Sequence, residues 1–169
     1  MKYGTMTELK VQGKILMIRK VVRENDPNSG LYTLPGGKLI DSERGLNQFG
    51  RLESAIRETK EETGLTLINP RVVGAILFNN FERKFTNWKN PEDFLVYMLT
   101  AEDYTGRLKK RTNEGTPIWV NEKDVEGLPK NIGDEKMYWW LKSGRFFIGN
   151  IKHKGRTLDK SGTFVDYLD

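Results

Sequence analysis

The pattern of apolar and polar residues divides the chain into short strands separated by polar loops. Two runs of β-favouring residues, 5–12 and 14–22, lie on either side of Gly13 and predict a hairpin. The apolar run FLVYMLT at residues 94–100 is typical of a buried strand. Further strands are predicted at residues 31–34, 72–73, 75–78 and 117–120. Polar, turn-rich loops are predicted at residues 23–30, 79–93 and 102–116.

The last third of the chain contains a second set of elements. A short helical turn is predicted at residues 122–125 and a helix at residues 134–142, whose aromatic residues 138–140 are expected to pack in the core. The chain then predicts a closing hairpin made of residues 145–152 and 156–165, with a turn at 154–155 and with His153 on the surface. Strands interspersed with helices in this way indicate an α+β or an α/β fold.

A helix is predicted over residues 51–63, where Gly64 provides a residue suited to its C-terminal end. Three of its acidic residues, Glu58, Glu61 and Glu62, have the spacing i, i+3 and i+4, so their carboxylates share one side of the helix. Like charges at this spacing repel one another, and a divalent cation bound over them would remove the repulsion. The opposite side can pack on a sheet through Leu52, Ala55, Ile56 and Thr59.

Residues 36–65 read GGKLIDSERGLNQFGRLESAIRETKEETGL. Their second half, RETKEETGL from residue 57 to 65, matches the pattern Arg-Glu-apolar-any-Glu-Glu-any-Gly-apolar, with Thr59 where an aliphatic residue is usual. Their first half places five residues between Gly37 and Glu43. Together with the preceding Leu34-Pro35, the two halves resemble the signature of the Nudix family.

The spacing between the two halves departs from the Nudix signature. Thirteen residues separate Glu43 from Arg57, where the family pattern has seven, so a six-residue insertion is predicted around residues 44–50. Strict counting back from Arg57 would put Phe49 at the position of the first glutamate. We therefore align Glu43 with that glutamate and expect the additional residues to form a loop.

The resemblance implies an α/β fold, the Nudix α/β/α sandwich, in which a mixed sheet is flanked by helices and residues 1–169 form a single domain. It also implies metal-assisted hydrolysis of a diphosphate linkage, with Mg²⁺ as the cofactor and Mn²⁺ as the alternative cation. The metal ligands that it implies are the carbonyl oxygen of Gly37 and the carboxylates of Glu58, Glu61 and Glu62, with Glu43 as a further candidate.

Several other residues receive roles from the same resemblance. Arg57 corresponds to an arginine that holds the glutamates in place, although it can also form helix pairs with Glu53 or Glu61. Lys38 is expected to contact phosphate. Glu114 corresponds to a glutamate that binds metal or takes a proton from the attacking water, and the alternative is an acid exposed on a loop. We count Arg57, Glu61, Glu62 and Glu114 as the candidate catalytic residues.

The last third of the chain is similar to MutT-type enzymes, which cleave 8-oxo-dGTP and related purine nucleoside triphosphates. Asp134 and Glu135 stand where such enzymes carry the acids that recognise the purine, although Asp134 could equally cap its helix. Thr33 takes the place of a base-contacting asparagine, and Ile132 takes the place of a stacking tryptophan. Two alternatives remain. The protein could remove pyrophosphate from the 5′ end of RNA, with the basic residues 107–111 as the contact surface for the RNA. It could also be a Nudix module that binds nucleotides without turnover.

Composition and charge agree with a globular protein that has an anionic partner. The 169 residues are 37% apolar and 30% charged, and the net charge of +5 favours an anionic partner. The resemblance implies that this partner is a nucleoside triphosphate or a related nucleoside diphosphate derivative. The absence of cysteine excludes disulfides, thiolate metal sites and a cysteine nucleophile. No signal peptide or membrane-spanning run is found, so we expect a cytoplasmic protein without membrane contact, as a monomer or a homodimer.

Overall fold

A computed structural model of the protein describes residues 1–24, 26, 28–40, 42, 48–81, 92–154 and 157–168. Within these ranges the chain forms strands, two α-helices and one 3-10 turn. In chain order they are β1 (Lys2–Val11), β2 (Lys14–Lys20), β3 (Tyr32–Thr33), β4 (Gly36–Lys38), α1 (Gln48–Thr63), β5 (Leu65–Ile68), β6 (Arg71–Phe81), β7 (Glu92–Ala101), β8 (Asp103–Gly106), β9 (Gly115–Asn121), the 3-10 turn (Glu122–Gly127), α2 (Ile132–Lys142), β10 (Phe146–Lys154), β11 (Thr157–Leu158) and β12 (Phe164–Leu168).

The strands form a large mixed sheet. Its centre has the order β10, β6, β7 and β1, in which β6 and β7 are antiparallel while β10 is parallel to β6 and β1 is parallel to β7. Both β11 and β12 pair with β10, and the glycine-containing β4 pairs with β1. The predicted hairpin of β1 and β2 is confirmed, and β2 continues into a smaller antiparallel group with β3 and β9.

The two helices cover opposite faces of this sheet. Side chains along β7 point alternately to the two faces of the sheet. Val96 and Met98 belong to a core cluster that contains α2 residues, whereas Leu99 belongs to a second cluster that contains Ala55 of α1. The strand β2 follows the same rule, since Met17 faces α2 while its neighbour Leu16 is in the α1 cluster. The predicted arrangement of a mixed sheet between helices is therefore confirmed.

Several predicted loop boundaries are wrong. The polar stretch 102–116 contains β8, which pairs with β5, a strand that was also not predicted. Its residues Asp103–Gly106 are too polar to show strand alternation, although Tyr104 packs on the side chain of Trp119. The predicted loop 79–93 is shorter, because β6 continues to Phe81 and β7 starts at Glu92, and the rest of that loop lies outside the described residues.

Two predictions about side-chain burial are corrected by the structure. His153 is buried, because it continues the inward-facing alternation of β10 after Phe147, Gly149 and Ile151, and its ring stacks on Phe78. The aromatic cluster of α2 is divided by the helical period. Tyr138 and Trp140 are in the core, but Trp139 is exposed. Its ring lies 5.2 Å from the ammonium group of Lys142.

The closing hairpin is confirmed in part. Strand β10 pairs with β11 and also with β12, so the C-terminal strands extend the central sheet. The predicted turn at residues 154–155 reaches residues outside the described part of the chain. The described part contains no helix that is long and apolar enough to cross a membrane.

Candidate active site

An open cleft of about 790 Å³ lies between α1, β4 and the segment before β9. Most of its lining side chains are charged, and four of them are glutamates. The cleft is lined by Lys20, Gly36, Gly37, Lys38, Glu58, Glu61, Glu62, Lys109, Arg111, Thr112, Asn113 and Glu114. The structure thus brings the α1 glutamates, Lys38 and Glu114 into one cleft.

Helix α1 is fixed by small residues on the side that faces the sheet. Ala55 and Thr59 are fully buried, while Leu52 and Ile56 are partly buried against the same core cluster, so the predicted packing side is confirmed. Ser54 is also buried, and its hydroxyl lies 3.4 Å from that of Thr5 on β1. This packing leaves the glutamates of α1 facing the cleft.

The two glycines of β4 allow the acidic helix to approach the sheet closely. The backbone amide of Gly36 donates a hydrogen bond of 2.8 Å to the Glu62 carboxylate. A side chain at Gly36 would overlap the backbone of β1, and one at Gly37 would overlap the Glu58 carboxyl group. Glycine at both positions is therefore a steric requirement for the contact between β4 and the α1 glutamates.

Glu62 is the most buried acid of the cleft, with 5% of its surface exposed. The pKa of this carboxyl group is raised to about 7, first by burial and then by the negative charges of Glu58 and Glu114. The ammonium group of Lys20, 3.7 Å away, and the hydrogen bond from Gly36 oppose this shift. The negative charge of Glu62 is therefore only partly compensated by the protein itself.

Arg57 links three groups around the cleft. One guanidinium nitrogen lies 2.8 Å from the Glu58 carboxylate and 3.4 Å from that of Glu61, while the other donates 3.1 Å to the carbonyl oxygen of Lys38. Arg57 thus reaches Glu61, one of the two helix partners considered from the sequence, and also contacts β4. These contacts hold Glu58 near β4, whereas the side chain of Glu61 remains 61% exposed.

The donor set of the cleft fits a hard divalent cation, because carboxylate and carbonyl oxygens are the ligands that Mg²⁺ prefers. Within the described residues, no three acidic or histidine side chains converge closely enough to hold an ion as they stand. The reason is visible in the contacts, since Arg57 lies between Glu58 and Glu61, and Lys20 lies beside Glu62. A cation would replace these positive charges after rotation of the carboxylates.

A second, mostly apolar pocket of about 200 Å³ opens beside the acidic cleft. Its walls come from the central strands of the sheet, from β2 and β3, from the loop before β3 and from the start of α2. The pocket is lined by Met6, Lys20, Asn28, Leu31, Tyr32, Thr33, Phe78, Phe94, Val96, Asn131 and Asp134. Lys20 lines the pocket and the cleft alike, so the two cavities adjoin at its side chain.

Asp134 is the acidic group of the apolar pocket. Burial raises the pKa of its carboxyl group to about 6, although a hydrogen bond from the Thr33 hydroxyl and the charges of Lys20 and Lys130 lower it. The alternative role of Asp134 as a helix cap is wrong, because α2 starts at Ile132 and the side chain of Asn131 accepts the capping hydrogen bond from Gly133. The Asp134 side chain is thus available to the pocket.

We expect the Asp134→Asn variant to be more stable than the native protein near pH 7.5, by about 1 to 2 kcal/mol after allowance for solvent screening. Because the folded-state pKa is about 6 and the ordinary value is 3.8, the folded protein binds this proton more tightly than the unfolded chain. The stabilisation by protonated Asp134 is complete below pH 3.8 and is lost as the pH rises through 6. Urea unfolding of both proteins between pH 4 and 8 measures the difference, and a difference that does not change with pH would contradict this expectation.

The remaining residues that the sequence singled out are not seen in the cleft or in the apolar pocket. Glu135 is exposed on α2 and points away from the apolar pocket, so the predicted pair of acids is separated. Ile132 is also exposed. Glu43 and residues 44–47 of the predicted insertion lie outside the described part, while Gln48–Gly50 belong to the first turn of α1.

Sequence reasoning missed Lys20 and the two asparagines of the pocket. Lys20 is the last residue of β2, and nothing in the sequence distinguishes it from the exposed Arg19 beside it. Asn131 donates to the side chain of Asn28 across 3.3 Å, which joins two loops that are far apart in the chain. Only the tertiary fold brings these groups together.

Comparison with known proteins identifies the family. The family model described as NUDIX domain matches residues 9–141. An uncharacterized Nudix hydrolase, YvcI of Bacillus subtilis (strain 168), is 27% identical over 139 residues, which cover 81% of this chain and 77% of that protein.

Two solved structures show the same fold. The MutT protein from Bacillus halodurans has a TM-score of 0.78 and 23% identity, with 98% of each chain covered. The NUDIX domain of Shewanella oneidensis NrtR complexed with ADP ribose has a TM-score of 0.64 and 16% identity, covering 85% of this chain and 87% of that one. The α/β/α architecture is thus that of the MutT structure, and the match of the family model over most of the chain shows that the protein belongs to the Nudix family.

Proposed function

We propose that the protein hydrolyses a nucleoside triphosphate, with a purine as the base, to a nucleoside monophosphate and pyrophosphate. The observation that carries this proposal is the position of Lys20 between the acidic cleft and the apolar pocket. A nucleotide needs an apolar surface for its base and a charged surface for its phosphates. The apolar pocket and the charged cleft adjoin each other, just as the nucleoside adjoins the phosphates in a nucleotide.

In this proposal the cleft holds the polyphosphate together with Mg²⁺, for which Mn²⁺ is the alternative. Glu58, Glu61, Glu62 and the carbonyl oxygen of Gly37 would hold the cation, which when bound supplies charge neutralisation and a more acidic water. Arg57 holds Glu58 in place through its 2.8 Å contact and is therefore a positioning residue. Lys38 at the edge of the cleft would contact phosphate.

Glu114 is our candidate for the group that takes the proton of the attacking water. Its side chain is 49% exposed and lies 3.3 Å from the ammonium group of Lys20, on the side of the cleft opposite α1. The backbone there is held against β2, because the amide of Val21 donates to the carbonyl oxygen of Glu114 across 3.2 Å. Hydrolysis adds one water across a P–O–P bond, and a positioned carboxylate can accept the proton that the water loses.

The apolar pocket would hold the base between the aromatic side chains of Tyr32, Phe78 and Phe94. Thr33 and Asp134 offer hydrogen-bonding groups at its wall. A base with the wrong pattern of donors and acceptors would leave these partly buried polar groups without a hydrogen-bond partner. They are therefore suited to discriminate among purines, including 8-oxoguanine.

The relatives agree with a nucleotide ligand. YvcI is named a Nudix hydrolase, and the NrtR domain was crystallised with ADP ribose, which contains a diphosphate linkage. The proposal takes residues 1–169 as one catalytic domain, which is supported by the way β10–β12 extend the central sheet.

The test is a Mg²⁺-dependent turnover assay over a panel of substrates. The panel contains the canonical and oxidised purine and pyrimidine triphosphates, ADP-ribose, dinucleoside polyphosphates and RNA with a 5′-triphosphate. We expect the highest kcat/KM for one purine triphosphate, with pyrophosphate and monophosphate as the products. A preference for the RNA would favour 5′ pyrophosphate removal, in which Lys109 and Arg111 of the cleft would contact the chain. Nucleotide binding without turnover of any substrate would support the non-catalytic module.

A further inference from the structure

Two asparagines form a polar corner in the apolar pocket. Asn131 is the N-cap residue of α2, and Asn28 belongs to the loop before β3. Both side chains line the pocket, and both residues keep part of their surface exposed. Asn131 donates to the side chain of Asn28 across 3.3 Å, so the loop is tied to the start of the helix. A ligand in the pocket can therefore contact this asparagine corner.

The helix determines how the amide of Asn131 is oriented. The side-chain oxygen of Asn131 accepts a hydrogen bond of 3.1 Å from the backbone amide of Gly133, a group that can only donate. A reversed side-chain amide would place two donors against each other. The nitrogen of Asn131 therefore points away from that backbone amide, and it donates to the side-chain oxygen of Asn28.

The same hydrogen bond determines how the amide of Asn28 is oriented. Because the Asn28 oxygen accepts from Asn131, the Asn28 nitrogen is left as a donor, and no described residue accepts a hydrogen bond from it. The backbone of Asn28 is also fixed, since its amide donates 2.9 Å to the Asp26 carboxylate and its carbonyl oxygen accepts 3.0 Å from Leu31. Asn28 thus presents a donor that is held in place before a ligand binds.

An acceptor lies beside this donor. Asp134 comes three residues after Asn131 on α2, so the two side chains lie on the same side of the helix with their Cβ atoms about 5–6 Å apart. Asp134 also lines the pocket. Because its pKa is about 6, its carboxyl group is mostly ionised near pH 7.5 and can then only accept hydrogen bonds. One wall of the pocket therefore has a donor next to an acceptor.

This pair of groups distinguishes the two kinds of purine. A 6-oxopurine has an N–H donor at ring position 1 beside a carbonyl acceptor at position 6, whereas adenine has an acceptor at position 1 beside an amino donor. With Asp134 opposite position 1 and Asn28 opposite position 6, a 6-oxopurine forms both hydrogen bonds. Adenine in the same position would place acceptor against acceptor and donor against donor, which leaves all four groups without a partner.

We propose that Asn28 is a specificity-determining residue, which selects guanine, 8-oxoguanine and hypoxanthine over adenine by donating a hydrogen bond to the oxygen at position 6. Asp134 accepts from the N–H at position 1, and the half-buried rings of Tyr32 and Phe94 flank the base. This assignment rests on the proposed function, because it takes a purine nucleotide as the ligand of the pocket. It adds which purines are accepted and which side chain decides.

Inosine and adenosine triphosphates differ only at positions 1 and 6, so the ratio of their kcat/KM values tests the assignment. We expect the native protein to prefer the inosine nucleotide about a hundredfold. Asn28→Ala should lower this ratio about tenfold or more, because the hydrogen bond to the oxygen is lost. Asn28→Asp should lower it at least as much, since the carboxylate can still accept from Asn131 but has no donor for the base.

The ratio separates base selection from a structural role of the asparagine corner. Both nucleotides carry the same charge, so a change in loop structure or in overall charge affects them equally and leaves the ratio unchanged. Asn121→Ala is the matched control, because this exposed asparagine donates to Asp124 outside both cavities, and it should keep the native ratio. A native ratio near one, or an unchanged ratio in both Asn28 variants, would overturn the proposal.

Calorimetric titration of the metal-free protein with inosine and adenosine monophosphates distinguishes failure of this proposal from failure of the proposed hydrolysis. We expect the inosine nucleotide to bind about tenfold more tightly than the adenosine nucleotide, and we expect Asn28→Asp to remove the difference. This binding result without turnover of any triphosphate would support base selection and refute hydrolysis. Hydrolysis of both triphosphates with equal kcat/KM would support the reaction and refute base selection. Circular dichroism establishes that the variants are folded, and Asn28→Asp decides the question if Asn28→Ala is not.

Discussion

Replacement of Glu62 by glutamine is expected to lower the kcat of Mg²⁺-dependent hydrolysis by about a thousandfold or more, while the protein remains folded. Losses of this size follow the removal of a group that organises charge in an active site. Glu62 is nearly inaccessible to solvent, yet its carboxylate faces the cleft beside Glu58 and Glu114. A buried carboxylate in that position is costly unless a cation compensates it.

The fold should survive this change because glutamine preserves the contact that positions the side chain. The amide of Gly36 donates 2.8 Å to an oxygen of Glu62, and the carbonyl oxygen of glutamine can accept the same hydrogen bond. The neutral side chain also avoids the cost of burying a charge whose pKa is raised to about 7. In metal-free buffer near pH 8 the variant should therefore be at least as stable as the native protein.

The decisive measurements are kcat with the best substrate of the panel and the melting temperature with and without Mg²⁺. Mg²⁺ should raise the melting temperature of the native protein at pH 8 and have a much smaller effect on Glu62→Gln. The exposed Glu53 on the same helix is the matched control, and Glu53→Gln should change neither quantity. Undiminished hydrolysis by Glu62→Gln would remove Glu62 from the metal site that we propose.

Local sequence patterns were sufficient to predict the acidic helix and the strands around it. The spacing of Glu58, Glu61 and Glu62 determines which side of α1 they occupy, and Gly64, with φ 84°, ends the helix where the sequence predicts. The hairpin around Gly13 and the apolar run of β7 were equally clear, since strand alternation and apolar runs are local signals. These elements account for one wall of the cleft.

Local sequence patterns could not predict the wall opposite α1 or the boundary with the apolar pocket, because both depend on contacts between distant segments. Of that wall, only Glu114 was predicted, through the family resemblance. Lys20 lies near Glu114 only because β2 pairs with β9. It lies near Glu62 only because β4, which contacts α1, also pairs with β1. His153 was misplaced because a histidine in a polar stretch carries no sign of which strand face is buried. Family resemblance supplied candidate residues, but only the fold showed that Glu135 lies apart from Asp134.

Lys20→Met is expected to lower kcat/KM about a hundredfold, the second largest effect that we predict. The backbone of Lys20 is held on both sides, since its amide donates 2.9 Å to Leu31 and its carbonyl accepts 3.2 Å from Gly30. The side chain is thus held at the junction of the two cavities. There its ammonium group lies 3.3 Å from Glu114. In a nucleotide that spans both cavities, the phosphates next to the nucleoside must lie beside the Lys20 ammonium group.

The pH profile separates this role from a structural one. Lys20 lowers the pKa of Glu62, whose value is about 7, so its removal should raise that pKa and move the acidic limb of the kcat/KM profile to higher pH. Lys20→Arg keeps the charge and should retain most of the activity and the native profile. Lys14→Met, at the exposed start of the same strand, is the control that removes a lysine without touching either cavity.

A purely structural effect of Lys20→Met would lower the stability and leave the profile in place. The expected result is different, because methionine fills a similar volume and the β2 hydrogen bonds remain, so the variant should stay folded while its profile shifts. Removing the charge also leaves Glu62 and Glu114 without the ammonium group that lies near both carboxylates. Native kcat/KM in Lys20→Met would mean that the phosphates do not pass between the cavities at Lys20, and the proposed path of the nucleotide would have to be abandoned.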